Sequence, residues 1–217
     1  MDAQFRLERW ENLCRSLGII SAAAIEKEFE RLTMAYGEPH RAYHTSQHIH
    51  ECLTLLDELL EKCKPPDLLS LEMALWYHDL VHLPQSSKNE SESMAQAAIF
   101  LRDNDVSTPS IKTITRLIMA TRHFSDFGAT TGLEKWMVDI DLGILGAPTK
   151  RFLQYEQQIR EEYSWLSPDV YNSERRRVLI TFLERPRLYH STLFFERFEK
   201  QAQKNLLCLL SQPNLLP

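Results

Sequence analysis

Histidines are concentrated in one short segment of the chain. Four of the 8 histidines lie between residues 40 and 50, in HRAYHTSQHIH, and the chain contains no HExxH motif. A helix that begins near Thr45 would carry His44 and His48 on one face, with Cβ atoms ~5–6 Å apart, whereas His50 would point elsewhere. His48 would fall close to the leucine stripe of the same helix (residues 53–60). A buried histidine is more often a hydrogen-bonded core residue than a ligand, so this pair alone leaves both roles open.

Two further segments place ionisable side chains where buried apolar ones are expected. The apolar helix predicted over Leu71 to Leu80 carries the adjacent His78 and Asp79 near its end, and the apolar segment KWMVDIDLGILGA is interrupted by Asp139 and Asp141. A buried carboxylate is costly unless it is paired or binds a cation. Three apolar helices that each carry a misplaced histidine or aspartate are best explained by convergence on one ion.

The order of these residues along the chain is similar to that of a known family. A histidine, then a histidine-aspartate pair, then a distant aspartate resembles the H…HD…D pattern of the HD superfamily of metal-dependent phosphohydrolases, and most closely its small single-domain bacterial branch. Recurrent segments of that branch have counterparts here in YHTSQH (43–48), WYHD (76–79), NESES (89–93), ATRH (120–123) and DIDLGILG (139–146). YEQQIREEY, RRRVLITFLERPRLYHS and KNLL in the tail also fit, so the resemblance covers nearly the whole chain.

The resemblance implies a set of metal ligands. His48 matches the first ligand, His78 and Asp79 match the doublet, and Asp141 matches the last aspartate, with Asp139 as the alternative to Asp141. Such a site would bind one divalent ion or two, and its residue types do not choose among manganese, magnesium, iron, zinc, nickel and cobalt. Asp79 is expected both to bind the ion and to act in catalysis by accepting a proton from the attacking water.

Three other polar residues match recurrent positions of the branch, and each has more than one candidate role. His44, Glu90 and His123 are candidate catalytic residues that would lie at the substrate phosphate, at a second metal or behind the ligands. Positive charge for a phosphoryl group would come from His44, Arg122, His123 and, more distant in sequence, Arg185. Arg122 and Arg185 have an alternative role in surface ion pairs.

His82 departs from the branch, which more often has an aromatic residue near that place. It permits a rival metal site, in which His44 with His48 and His78 with His82 supply four imidazoles from two facing helices. That site would leave the aspartates without a partner. Replacing His82 would abolish the rival site and leave the HD-type site intact, so this substitution separates the two alternatives.

The spacing of apolar residues predicts an all-α fold. Apolar residues recur at three- and four-residue spacing almost throughout, the chain has only 6 glycines, and proline-containing breaks separate about nine helical segments. Ser167 followed by Pro168 is typical of a helix start. We expect one domain over residues 1–217, and the resemblance implies an HD-type helix bundle with its metal-site core at about 40–146 and the helices of 148–211 packed on it.

Composition limits the classes of partner. The net charge of −5 gives no basic field for a polymeric nucleic acid or an anionic membrane surface. The sequence lacks a secretory leader pattern and a run of ~18 apolar residues, so a cytoplasmic protein without a membrane partner is expected. The 4 cysteines include no CxxC pair, so a structural zinc held by thiolates is not expected.

The function that the resemblance implies is hydrolysis of a small phosphate ester, with nucleotide-like phosphates among the candidate substrates. Two alternatives stay open, namely a di-iron oxygenase of HD type and a metal-stabilised binding or sensing module without turnover. The chain has no P-loop or dinucleotide-binding glycine motif, so chemistry driven by ATP has no support. Both a monomer and a homo-oligomer are compatible with the sequence.

Overall fold

The computed structural model describes residues 5–61, 67–122 and 132–212, which contain ten α-helices, one 3₁₀-helix and no β-strand. The all-α prediction is therefore confirmed. No helix within the described ranges has both the length and the apolar character needed to cross a bilayer. His123, a candidate substrate residue, lies outside the described residues. The chain divides into two compact units, Met1–Ile140 and Asp141–Pro217, and the single domain over residues 1–217 stays a prediction.

The first unit is built around one central helix. Its helices are α1 Leu7–Ser16, α2 Ala22–Tyr36, α3 Ser46–Leu60, α4 Leu68–Tyr77, α5 Asn89–Asp103, α6 Thr108–Ala120 and α7 Glu134–Asp141, whose last residue opens the second unit. Helix α4, LLSLEMALWY, is apolar on nearly all sides, as is typical of a helix enclosed by others. It packs against α1, α3, α5 and α6.

Aromatic side chains fix the last turn of α4 in the core. Trp10 and Trp76 are fully buried, with ring centroids 5.4 Å apart, and the Phe5 ring lies 4.9 Å from the Trp76 ring. The Tyr36 hydroxyl donates a 2.9 Å hydrogen bond to the carbonyl oxygen of Trp76 and so ties α2 to this turn. The end of α4 is therefore a fixed point from which the following residues project.

Two helix ends lie beside the histidines. Thr45 is the N-cap of α3, where its Oγ1 accepts a 3.3 Å hydrogen bond from the backbone N–H of Gln47, so the predicted helix start is confirmed. Helix α4 ends at Tyr77 rather than at Leu80 as predicted, so His78 is its C-cap and Asp79 lies beyond it. The apolar pattern continued to Leu80 because Leu80 is itself buried, although it lies outside the helix.

The second unit contains the 3₁₀-helix and three long helices. They are the 3₁₀-helix Leu142–Gly146, α8 Thr149–Glu162, α9 Pro168–Leu183 and α10 Thr192–Leu210. Ser167 and Pro168 occupy the N-cap and first position of α9, as predicted, although the Ser167 side chain makes no capping hydrogen bond. A buried ion pair of 2.6 Å between Arg175 and Glu156 joins α9 to α8.

Gly146 ends the 3₁₀-helix where α10 passes closely. A Cβ atom on Gly146 would lie 2.6 Å from the Cβ atom of Phe198 and 2.9 Å from the hydroxyl oxygen of Tyr189. The Cβ atom of Phe198 cannot be moved by rotating its side chain, so the two backbones would have to separate. This close approach explains the last glycine of DIDLGILG.

Replacing Gly146 by alanine is expected to lower the free energy of unfolding by about 1–3 kcal/mol, the usual cost of overpacking. Chemical denaturation measures this loss. Gly37→Ala is the control, because a Cβ atom there would meet only carbonyl oxygens of its own helix, at 3.1 and 3.6 Å. An equal loss in both variants would contradict the close-packing explanation.

Candidate metal centre

His48, His78 and Asp79 bring three ligand atoms together in the first unit. Nε2 of His48 lies 3.0 Å from Nε2 of His78. Oδ2 of Asp79 lies 3.3 Å from Nε2 of His48 and 3.1 Å from Nε2 of His78. Both imidazoles are buried, whereas the Asp79 side chain is 19% exposed. We call these three atoms the ligand triangle.

The ligand triangle fits a bound cation better than it fits hydrogen bonds alone. Each ring nitrogen has only one in-plane lone pair or N–H, so neither Nε2 atom can make linear hydrogen bonds to both other atoms. Donors ~2.0–2.1 Å from one ion are separated by roughly 3.0 Å in an octahedron and roughly 3.4 Å in a tetrahedron. The observed separations, 3.0, 3.1 and 3.3 Å, fall within this interval. This cluster could therefore hold a metal ion.

The orientation of the His78 ring is fixed from behind. Its Nδ1 lies 3.0 Å from the carbonyl oxygen of Leu75, which can only accept a hydrogen bond, so Nδ1 carries a proton. In the neutral ring, Nε2 then presents its lone pair to the ligand triangle. Metal-bound histidines usually have this arrangement, with the second nitrogen donating to a carbonyl or carboxylate.

The surroundings of Asp79 favour the charged form of its carboxyl group. Burial alone would raise the pKa of Asp79, but the neighbouring imidazoles of His78 and His44, with hydrogen bonds from His48 and His78, hold that pKa well below its usual range. Asp79 also follows the carboxyl end of α4, where the helix dipole disfavours a negative charge. A bound metal ion would place a positive charge beside the same carboxylate.

Arg41 joins the two segments that carry these residues. Its buried guanidinium donates hydrogen bonds to the carbonyl oxygens of His44 at 3.0 Å, Asp79 at 2.7 Å and Leu80 at 2.7 Å. Its Nε donates to the carboxylate of Glu38 at 3.0 Å. The sequence did not single out Arg41, because its main partners are backbone carbonyls and two of them are distant along the chain.

Asn89 and Ser93 hold the segment that follows Asp79. Asn89, the first residue of α5, accepts from the backbone N–H of Leu83 at 3.1 Å and donates to the Leu83 carbonyl at 3.0 Å. Ser93 Oγ accepts from the backbone N–H of Val81 at 3.0 Å. These bonds give NESES a structural role. Glu90 is half-buried and makes no hydrogen bond or ion pair with another described residue, so its catalytic role stays a prediction.

A second pair of histidines lies beside the ligand triangle. The rings of His44 and His82 are stacked with centroids 3.9 Å apart, and the His44 ring lies edge-on to the His48 ring at 6.1 Å. His40 donates from Nε2 to the carbonyl oxygen of His82 at 2.7 Å. Four imidazoles thus form two pairs, His48 with His78 and His44 with His82.

The remaining candidates come from later segments of the sequence. Arg122 is exposed after the end of α6, and Asp139 is fully buried in α7. Asp141 and Arg185 belong to the second unit, where burial lowers the pKa of Arg185 and its guanidinium lies 4.7 Å from the Phe182 ring centre. The choice of Asp141 over Asp139 as the last ligand stays a prediction.

Comparison of the chain with protein-family models, with curated proteins and with solved structures found no match. The fold and the ligand triangle define an all-α protein with a candidate metal centre. A more specific function has to be argued from the residues of that centre.

Proposed function

We propose that the chain is a metal-dependent phosphohydrolase of HD type that acts in the cytoplasm on a small phosphate ester, with nucleotides among the candidate substrates. The observation that carries this proposal is the ligand triangle of His48, His78 and Asp79. These residues match the first three positions of the H…HD…D pattern, and they meet although His48 and His78 are on different segments of the chain.

The side chains around the ligand triangle have separate tasks in this proposal. A divalent ion held there supplies Lewis-acid activation of a phosphoryl oxygen and lowers the pKa of water. Asp79 would supply a carboxylate that can accept a hydrogen bond from the attacking water and orient it. His78 is kept in position by Leu75, and His44, edge-on to His48, can donate a hydrogen bond to a substrate phosphate.

Hydrolysis of a panel of phosphomonoesters and nucleotides tests the proposal. The protein is freed of metal, and each of the six candidate ions is added back singly. We expect wild type to release phosphate from at least one substrate class only when an ion is present, and His78→Ala to lose both the ion and turnover. His82→Ala is the control for metal content, since the ligand triangle would keep its ion and the rival site would lose it.

Other outcomes of the same panel would favour the alternative functions. Retention of an ion without release of phosphate from any substrate would overturn the hydrolase and favour a binding or sensing module. Oxygen uptake by the iron-loaded protein, with no phosphate release, would favour an oxygenase. Absence of any bound ion in wild type would return His48, His78 and Asp79 to a hydrogen-bonded structural role.

A further inference from the structure

The ring of His48 needs a restraint that covalent geometry does not supply. The χ2 torsion of a histidine is broad and roughly two-fold, so the neighbours of the ring decide which of its edges faces a ligand position. The ring of His78 is fixed by its contact with the Leu75 carbonyl oxygen. Nε2 of His48 has to face the same place, because it lies 3.0 Å from Nε2 of His78. The contacts of the His48 ring are therefore part of the centre.

The buried side chain of Tyr43 packs against the His48 ring. The two ring centroids are 4.8 Å apart, with the ring planes inclined by 42°, and Tyr43 is 4% exposed. The carbonyl oxygen of Tyr43 accepts a 2.7 Å hydrogen bond from the backbone N–H of Thr45, the N-cap of α3. This bond holds Tyr43 at the start of the helix that carries His48.

The same tyrosine ring also contacts His44. These two centroids are 4.9 Å apart and the rings are nearly perpendicular, at 79°. Aromatic rings attract one another in tilted and edge-to-face arrangements at centroid distances of about 4.5–7 Å. Tyr43 thus restrains both His48, a member of the ligand triangle, and His44, the candidate for binding a substrate phosphate.

Cys52 is a second packing contact of His48 and not a ligand of its ion. Its Sγ lies 3.8 Å from both ring nitrogens of His48, which places the sulfur beside or over the ring. An ion bound in the ring plane at Nε2 would lie at least about 4 Å from that sulfur, whereas a zinc–sulfur bond measures ~2.3 Å. The buried thiol of Cys52 therefore restricts the space in which the His48 ring can turn.

We propose that Tyr43 is a positioning residue of the metal centre. Its ring, with Cys52 as the second contact, fixes the rotation of the His48 ring so that Nε2 faces His78 and Asp79. Tyr43 touches neither the ion nor the substrate in this role and acts only through the histidines. The role requires the metal centre of the proposed function, but it does not require phosphate hydrolysis.

Zinc and cobalt(II) titrations of the full chain test the role of Tyr43. Tyr43→Leu removes the ring and keeps the backbone bond to Thr45, so the affinity for both ions should fall at least about tenfold, since groups that orient metal ligands typically contribute 10–100-fold. The visible d–d bands of bound cobalt report the geometry of its ligands and should shift in this variant. Tyr43→Phe keeps the ring, so its metal affinity and its cobalt bands should stay close to those of wild type.

Phe100→Leu controls for the general loss of a buried aromatic ring. Phe100 is a buried residue of α5 in the same unit, and its ring packs at 5.8 Å from the Trp10 ring and 6.3 Å from the Tyr77 ring. None of these rings belongs to the ligand triangle. We expect Phe100→Leu to lower the free energy of unfolding and to keep the metal affinity and the cobalt bands of wild type.

Two results would overturn the role of the Tyr43 ring and leave the ligand triangle intact. The first is a metal affinity of Tyr43→Leu equal to that of wild type or lowered no more than that of Phe100→Leu. The second is an equal loss in Tyr43→Phe, which would assign the effect to the hydroxyl group. A sulfur-to-cobalt charge-transfer band in the near ultraviolet would show that Cys52 is a ligand and would overturn its packing role.

The same titrations distinguish the role of Tyr43 from the proposed function. Metal binding that depends on the Tyr43 ring, without release of phosphate, would overturn only the hydrolase. Failure of wild type to bind either ion would overturn both. Circular dichroism verifies folding of each variant. If Tyr43→Leu does not fold, Tyr43→Met decides, because a flexible methionine fills the space of the ring without its rigid face.

Discussion

Substitution of Asp79 by alanine is expected to lower the affinity for zinc or cobalt by at least about 100-fold. Loss of a residue that only hydrogen-bonds to a metal ligand lowers metal affinity by about 10–100-fold, so loss of a ligand itself should cost at least as much. The change removes Oδ2, which lies 3.1 and 3.3 Å from the two Nε2 atoms, and it leaves the imidazoles to hold the ion without a negative charge from this position. Competition with a chromophoric chelator measures the affinity, and mass spectrometry measures the metal that remains after purification.

Asp103 provides the control for this substitution. It is an exposed aspartate at the end of α5 in the same unit, so Asp103→Ala should bind metal as wild type does. If Asp79 served only as an ion-pair partner for imidazolium, Asp79→Ala would alter stability and leave the metal affinity unchanged. That result would remove the carboxylate from the proposed centre.

Substitution of Arg41 by alanine should lower the free energy of unfolding of the metal-free protein by about 3–5 kcal/mol. The variant leaves the carbonyl oxygens of His44, Asp79 and Leu80 without their charged donor, and each buried carbonyl that loses its partner costs about 1–3 kcal/mol. Metal affinity should fall as well, because Arg41 no longer holds the backbone of Asp79 beside the segment that leads into α3 and His48. Chemical denaturation and zinc titration measure the two effects.

Arg15 is the matched surface arginine. It is about half exposed and forms an i,i+4 ion pair of 3.1 Å with Glu11, so Arg15→Ala should change stability by less than about 1 kcal/mol. Arg41→Lys should recover only part of the loss, since one ammonium group cannot reproduce the planar fork of the guanidinium. Equal stabilities of Arg41→Ala and Arg15→Ala would show that Arg41 does not hold the two segments.

The helical fold and three members of the candidate site could be predicted from the sequence, because the signals are local. A period of three to four apolar residues identifies helices, and His48, His78 and Asp79 were noticeable as polar residues in apolar surroundings. Thr45 and Pro168 marked helix starts correctly because capping depends on neighbours within a few residues.

What could not be predicted depends on partners that are distant along the chain. In the sequence, nothing distinguishes Arg41 from an ordinary charged residue of a loop. Only the fold brings the carbonyl oxygens of Asp79 and Leu80 within hydrogen-bond distance of it. The end of α4 at Tyr77 was missed because burial of Leu80 continues the apolar pattern beyond the helix. Gly146 is required by the close approach of Phe198, which its own segment does not indicate.

The ligand triangle draws its atoms from the first turn of α3 and from the residues just past α4, the helix at the centre of the first unit. An ion that binds the native but not the unfolded chain would add about 2.7 kcal/mol to stability at a free concentration about 100 times its Kd. In cells, the unfolded fraction determines how much of a protein is lost to proteases. The abundance of this protein is therefore expected to follow the supply of its ion, so that cells starved of the metal would lose the polypeptide itself.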